Sequence, residues 1–597
     1  MTEYKAPVED LVFALEHIAG FNDLPGTGED VNIELARAVL EEAGRLASDV
    51  WAPLNPVGDK TPAVIENGGV KTPPGFDEAY RKFAEGGWNS VSFDENYGGQ
   101  GMPWVLSMAA AEMWQGSNLS LSLCPLLSQA AIEAIHKHGT QAQKDTYLPR
   151  LVSGEWAGTM NLTEPQAGTD LAAIRTIAKK DGEHYRMYGQ KIFITFGDHD
   201  FTENIIHLVL ARIDGLPEGN AGLGLFIVPK FLVNEDGSIG ARNDVEAVSL
   251  EHKMGLHGSP TCVMSYGEKD GAVAYLVGKE GEGLRNMFTM MNNARIGVGQ
   301  QGVALCERAW QHARIYARDR VQGQKIGDSS GENVPIIKHM DVRRMLATMR
   351  ILTEAGRALS LYAGGMIDRA ARLPEGEEKK AAQARLDLLT PLVKAWCTDA
   401  AVEVSSLGIQ IHGGMGYIEE TGAAQFYRDA RILPIYEGTN GIQANDLVFR
   451  KVLRDGGAEI GRFAAEIGAF AEEISARNDE TLSLVARNMT TALAKLSEST
   501  QWILKNAAAN TDAVAAAAVP YLKQCAGVAS GYMTAKMAGT AHHLLQNGAE
   551  GGNAEFLQAK LLKARFYAES LLPQLSGLTE VMTSGHTGIL KMADEQL

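Results

Sequence analysis

From about residue 155 to residue 275 the chain abandons helical spacing, and this interruption restricts its fold more than any other feature. Runs such as YRMYGQKIFIT, IIHLVLARI and LGLFIVPK alternate in polarity or concentrate β-branched residues, with Gly, Asp and Asn turns between them. They read as a β domain. Before it, IELARAVLEEAGRLASDV and SQAAIEAIHKHG keep the apolar period of helices around a YGGQGMP breaker. After GKEGEG at 278–283 that period resumes, with Leu389, Val393, Trp396, Ala400 and Val404 on one face. A β domain set between two helical blocks makes the fold class α+β, and 597 residues are enough for several packed domains. The expected bounds are a lead segment over 1–34, a helical domain over 35–154, the β domain over 155–277, a second helical domain over 278–455, and a separate Ala-rich helical appendage over 456–597.

Charge and motif spacing then remove several classes of function. With 55 Lys plus Arg against 73 Asp plus Glu, the formal charge of −18 repels nucleic acid and anionic membranes at long range. No uninterrupted apolar run approaches ~20 residues, so no membrane-spanning helix is expected. The five cysteines are scattered without a CxxC pair, and MTEYKAPVEDLVFALEHI lacks the order of a signal peptide; both point to a cytoplasmic protein with reduced thiols. No HExxH or Cys/His cluster suggests a metal. GVGQQG at 297–302 matches GxGxxG, but it lies between two helical runs, so its small residues suit close helix packing instead of a dinucleotide turn. HGGMG at 412–416 has the look of an esterase oxyanion loop, but no GxSxG accompanies it.

One acid stands out. In RILPIYEGTNGIQ, residues 431–443, Glu437 sits in an otherwise largely apolar and neutral run. Loss of water raises a carboxylate's pKa, which suits a general base, whereas an acid beside Gly438 could also serve a helix start.

Taken in order, MNLTEPQAGTD (160–170), GQKIFITFG (189–197), ARDRVQGQKIG (317–327), QIHGGMGY (410–417) and YRDARILPIYEGTNGIQ (427–443) resemble the acyl-CoA dehydrogenase family of flavoproteins over about residues 90–455. The resemblance implies FAD held between the three domains. It implies that Glu437 takes the α-proton of an acyl-CoA thioester while a hydride passes from the β-carbon to the flavin, giving a trans-2-enoyl-CoA. It further implies that the Glu437 N–H and an FAD hydroxyl polarise the thioester carbonyl.

By position, Met160, Leu162, Thr163, Phe193 and Thr195 would surround the flavin, and Gly168 and Thr169 would reach its pyrophosphate, with Thr439 also on the cofactor. Arg320, Gln322, Gln410, Gly413 and Gly414 match positions that contact the FAD of a neighbouring subunit, which implies a homodimer. Asn292, Arg295, Tyr436 and Gly438 match substrate positions; Arg295 read alone is equally a helix-face charge. Two departures are RVQGQ, which lacks a frequent aromatic, and Gly441, where many members carry Gln.

The long lead and the appendage resemble the large bacterial subgroup that includes 3-methylmercaptopropionyl-CoA dehydrogenases of dimethylsulfoniopropionate degradation. A general medium- or long-chain fatty acyl-CoA dehydrogenase is the alternative reading, as are an acyl-CoA oxidase or a DNA-binding flavoprotein of the same fold. An electron-transfer flavoprotein is the implied acceptor, and residues near 119–130 are expected to line the acyl pocket.

Overall fold

The computed structural model describes residues 3–329 and 331–597. Its first block holds helices α1 (Val8–Ala14), α2 (Ile33–Leu46), α3 (Phe76–Glu85), α4 (Trp104–Ser117), α5 (Leu119–His138) and α6 (Gln141–Ser153). Asparagines set two of the starts: Asn32 accepts from the Leu35 N–H at 3.0 Å and Asn118 from the Leu121 N–H at 3.1 Å. Helix α5 is apolar enough by length and composition to cross a membrane, with a mean hydropathy of 1.2 over its best window, yet 78% of that window is buried inside the protein. Its apolarity belongs to a core helix.

The sheet uses eight strands: β1 (Trp156–Asn161), β2 (Ile177–Asp181), β3 (His184–Thr195), β4 (Asn204–Ile213), β5 (Leu223–Pro229), β6 (Val245–Leu250), β7 (Thr261–Tyr266) and β8 (Ala272–Val277). The pairings β2–β3, β3–β8, β8–β5, β5–β4 and β4–β2 form a closed ring, so the barrel leaves few free edges. Beyond the ring, β3 continues into a pairing with β7. Its register slips between Ile194↔Cys262 and Lys191↔Met264, which leaves an extra residue on β3. That bulge puts Phe193 at φ +62 and turns its ring outward, 57% exposed, toward the site described below.

Three long helices follow: α7 (Gly283–Asp319), α8 (Met340–Arg372) and α9 (Glu377–His412). The glycines of GVGQQG serve this packing. A Cβ on Gly299 would lie 2.8 Å from the Val393 carbonyl oxygen, and one on Gly302 would lie 2.3 Å from that of Cys397, so α7 and α9 approach as only glycine allows. The expected face of α9 is inward, with Leu389, Val393 and Val404 fully buried and Ala400 nearly so. Two short helices, α10 (Ala423–Ala430) and α11 (Asn440–Asn445), frame the segment that carries Glu437.

The last region forms α12 (Ala458–Ser475), α13 (Glu480–Asn506), α14 (Thr511–Gln546), α15 (Gly551–Ser570) and short turns to the end. It is not a detached appendage. Buried residues of α8 and α9, such as Leu359, Leu389 and Cys397, share one continuous apolar cluster with Ile467, Met489, Val528 and Tyr567 of the extension. The alanines of α14 make this approach close: the helix is buried along most of its length.

A buried ionic cluster joins the extension to the rest. Lys560 on α15 donates to Asp10 of α1 at 2.5 Å and to Glu354 of α8 at 2.8 Å, and Lys563 also bonds Glu354. Arg350 bonds Asp10, Glu354 and Glu307, the last at 2.8 Å. Arg357 completes the cluster, donating to Glu307 at 2.7 Å and to Glu112 of α4 at 2.9 Å. Four acids and four bases thus balance, and five helices meet on them.

Candidate active site

Glu437 lies in the turn between α10 and α11 with φ at +56, a left-handed backbone that costs a non-glycine residue on the order of 1–3 kcal/mol. Such strain gathers here. Among the described residues, three of the six non-glycine residues at positive φ (Phe193, Leu256 and Glu437) line the same cavity. The turn is held by amides: the Gln443 side chain donates to the carbonyls of Glu437 and Gly438, both at 3.3 Å, and Thr439 caps α11 by accepting from the Ile442 N–H at 3.3 Å. Tyr436 donates its hydroxyl to Gln301, which stands in the GVGQQG stretch. No described residue accepts from the Glu437 N–H or bonds its carboxylate, so both remain available to a substrate.

Burial raises the Glu437 carboxyl to about 7, although the charges of Arg295 and Lys394 draw it back down. Arg295 is buried on α7 and its Nε lacks a partner. Lys394, on α9, is fully buried, donates to Asn440 at 2.8 Å, and is lowered by burial to about 8. A base must be unprotonated to work, so kcat/KM is expected to rise with pH through about 7. Lys394→Met removes a cation that favours the carboxylate, and the rising limb should move to higher pH in a steady-state pH profile.

The cavity holds about 1110 Å³ and brings together most of the expected site. Leu162, Thr163, Gly168, Thr169, Phe193 and Thr195 line it from the β domain, and Arg295, Tyr436, Glu437, Gly438 and Thr439 from the helices. Its inner end is a space of about 70 Å³ between Glu437, Met160, Thr163 and Thr195. Leu123, Leu126 and Leu127 of α5 wall that end, within the 119–130 stretch expected to do so. Its outer end adjoins a basin of about 580 Å³ where Asn292 and Arg295 meet Phe449, Arg450, Lys451 and Arg454.

Arg320, Gln322, Gln410, Gly413 and Gly414 stand elsewhere. All five are exposed, and none lines the cavity. Tyr316 stacks on His412 at 4.4 Å, which sets the end of α7, with Arg320, beside the turn that begins at Gly413.

Several functional side chains escaped sequence reasoning. Gln301, Gln443 and Lys394 are buried polar residues on helices, and only a partner far away in sequence distinguishes them from surface residues. Glu164 is another. It ties the 160–170 segment to the barrel by accepting from Lys191 Nζ at 2.8 Å and from the N–H groups of Arg175 and Thr176 at 2.6 and 3.0 Å. Burial would raise its carboxyl, but Lys191 and these donors bring it to about 2.

Comparison with known proteins places this geometry. Residues 57–155 match the acyl-CoA dehydrogenase N-terminal domain, 159–268 the middle domain, 281–451 the C-terminal domain, and 463–593 an acetyl-CoA dehydrogenase C-terminal-like domain. The chain is 49% identical to a 3-methylmercaptopropionyl-CoA dehydrogenase of Ruegeria pomeroyi over 96% of its own length and 97% of that protein's. The chain belongs to the acyl-CoA dehydrogenase family. A broad-specificity linear acyl-CoA dehydrogenase of Mycobacterium tuberculosis is 34% identical over 99% of both chains. Among solved structures, Caenorhabditis elegans ACDH-11 in complex with C11-CoA has a TM-score of 0.78 at 20% identity, covering 96% of this chain and 93% of that one. An acyl-CoA dehydrogenase of Bacillus anthracis complexed with FAD has a TM-score of 0.74 at 22% identity, covering 96% and 91%. These two share the fold, extension included.

As a member of this family the enzyme is an FAD-dependent oxidoreductase, and its cavity fits that cofactor. The β-domain wall offers neutral hydroxyls at Thr163 and Thr195 and an aromatic face at the exposed Phe193. At Gly168 a Cβ would meet nothing within 4 Å, so backbone is open to a phosphate there.

Proposed function

We propose that the enzyme dehydrogenates a short acyl-CoA, with 3-methylmercaptopropionyl-CoA as the physiological substrate, and that Glu437 is the base. The observation that carries this is the wall of Leu123, Leu126 and Leu127 beside Glu437, across a narrow space from the residues assigned to the flavin, which suits a short acyl group. The high identity to the Ruegeria pomeroyi enzyme over nearly the whole of both chains supports the particular acyl group.

Bound FAD supplies the acceptor for the hydrogen that leaves the β-carbon. The chain's own residues do the rest. Glu437 takes the proton from the α-carbon, and its raised pKa makes its carboxylate, shielded from water, a stronger base near neutrality. The free Glu437 N–H donates to the thioester oxygen, on which charge develops as that proton leaves. Thr163, Thr195, Met160, Leu162 and Phe193 hold the flavin ring, and Gly168, Thr169 and Thr439 the phosphate side. Tyr436 and Gly438 shape the acyl site.

At the outer end, Arg295 and Asn292 contact the pantetheine arm, and Arg450, Lys451 and Arg454 offer charge to the phosphates of coenzyme A. Arg320, Gln322, Gln410, Gly413 and Gly414, exposed in one chain, reach the FAD of a second, so the enzyme works as a homodimer. An electron-transfer flavoprotein is its electron acceptor, and the five buried free cysteines suit a reducing, cytoplasmic setting.

Anaerobic titration with butyryl-, hexanoyl-, octanoyl- and 3-methylmercaptopropionyl-CoA, followed by flavin absorbance, tests the reading. Fastest bleaching by 3-methylmercaptopropionyl-CoA is expected. Faster bleaching by octanoyl-CoA would overturn the short-chain assignment, and rapid peroxide release in air without an added acceptor would point to an oxidase.

A further inference from the structure

The blind inner end of the cavity has a second, smaller space behind it. About 30 Å³ lies between α4, α5 and α7, lined by Trp104, Met108, Trp114, Gln115 and Gln300 among others. Among the described residues, only Leu126 and Ala294 line both this rear space and the space beside Glu437. Ala294 is too short to divide them. Leu126 is half-buried, and its Cδ1 lies 2.7 Å from the point where a Cβ on Gly297 would stand, so its side chain rests on the bare backbone of α7. The glycine that looks like part of a dinucleotide motif is what allows the leucine to lie there.

We propose that Leu126 is the residue that ends the acyl-binding space and so limits the chain length this enzyme accepts. The inference rests on the reading of the Glu437 space as the acyl site. Leu126, Leu127, Ala294 and Val298 on the helices, with Met160 and Ile194 on the β domain, line that space and not the main cavity, and the rear space lies against the helical side, which makes that side its inner end. The linear path onward from that end runs through Leu126. Behind it the surface is mixed: Gln115 Oε1 is buried with no partner, and the room suffices for a water that a longer acyl chain would displace. Leu127, the neighbouring leucine, does not line the rear space, so shortening it opens no path.

The test compares Leu126→Ala, Leu126→Phe and wild-type holoenzyme by kcat/KM for butyryl-, hexanoyl- and octanoyl-CoA. Each methylene newly buried is worth a factor of roughly four. Leu126→Ala is therefore expected to raise the hexanoyl-to-butyryl ratio about tenfold or more, and Leu126→Phe to lower it. A merely structural role would reduce all three substrates together and leave the ratio alone. Variants that hold FAD and are bleached by butyryl-CoA, yet keep the ratio within twofold of wild type, would overturn the proposal while leaving the acyl site in place. A wild-type flavin that no acyl-CoA bleaches would overturn the underlying reading and this one with it.

Discussion

Glu437→Gln should fold, bind FAD and bind acyl-CoA, and should lose turnover by roughly 10²- to 10⁴-fold, the usual worth of a positioned general base. The amide has nearly the shape of the acid, so the left-handed turn at φ +56 and the bonds from Gln443 to its carbonyl oxygens are kept. What is lost is the ability to accept a proton. Burial outweighs the cations of Arg295 and Lys394 and raises the carboxyl, so the neutral amide removes a buried anion that costs stability, and the variant should be at least as stable as wild type near neutrality. The loss should appear in the reductive half-reaction followed by stopped-flow absorbance, at saturating substrate. Activity within tenfold of wild type would remove Glu437 from the role of base. Glu437→Asp separates charge from placement: it retains a carboxylate set back by about one carbon, and a defect there too would show that position matters as well as pKa.

How much of this was legible in the sequence follows from what a local pattern can carry. The β interruption and the helical blocks are periodic, and periodicity survives into the structure as β1–β8 and α7–α9. Glu437 was legible because an acid in an apolar run is a local anomaly. Thr163, Thr195 and Phe193 were legible only through their order along the chain, since a threonine in a strand has high β propensity for its own sake. The bulge that turns Phe193 toward the cavity is a matter of strand register, which one strand alone does not reveal. Gln301 and Tyr436 meet across 135 residues, and Lys394 and Asn440 across 46, so no local window contains either pair. The close packing of residues 456–597 against the core was not legible for a related reason. An alanine-rich helix reads as a mild, autonomous helix former, whereas the small side chains of α14 serve its close burial. Arg320 and Gly413 are exposed in the single chain, away from the cavity.

The ionic cluster offers the second large effect. Lys560→Met is expected to destabilise the protein by about 3–5 kcal/mol, because breaking a buried ion network from one side leaves the other side's charge uncompensated. Lys560 is 3% exposed, and among the described residues it alone joins Asp10 to Glu354 from the extension's side. Burial by itself would raise both acids; the surrounding cations instead hold Asp10 well below the usual carboxylate range and Glu354 at about 2. Acids lowered in this way add stability that is present above their unfolded pKa values and is lost as pH falls toward about 2. Near neutrality both are charged, and the variant must keep one more buried anion than it has cations. The contrast is Arg81→Met, which breaks an exposed pair with Glu85 on α3, 56% and 61% exposed, and should leave the midpoint nearly unchanged. Urea unfolding followed by tryptophan fluorescence would measure both. If Lys560→Met and Arg81→Met shift the midpoint equally, the cluster does not bind the extension to the catalytic core. If Lys560→Met also releases FAD before the barrel unfolds, the extension supports the site as well as the fold. The second result is expected, since α14 places Ala515 on the wall of the cofactor cavity and shares its core with α9, which carries Lys394 beside Glu437.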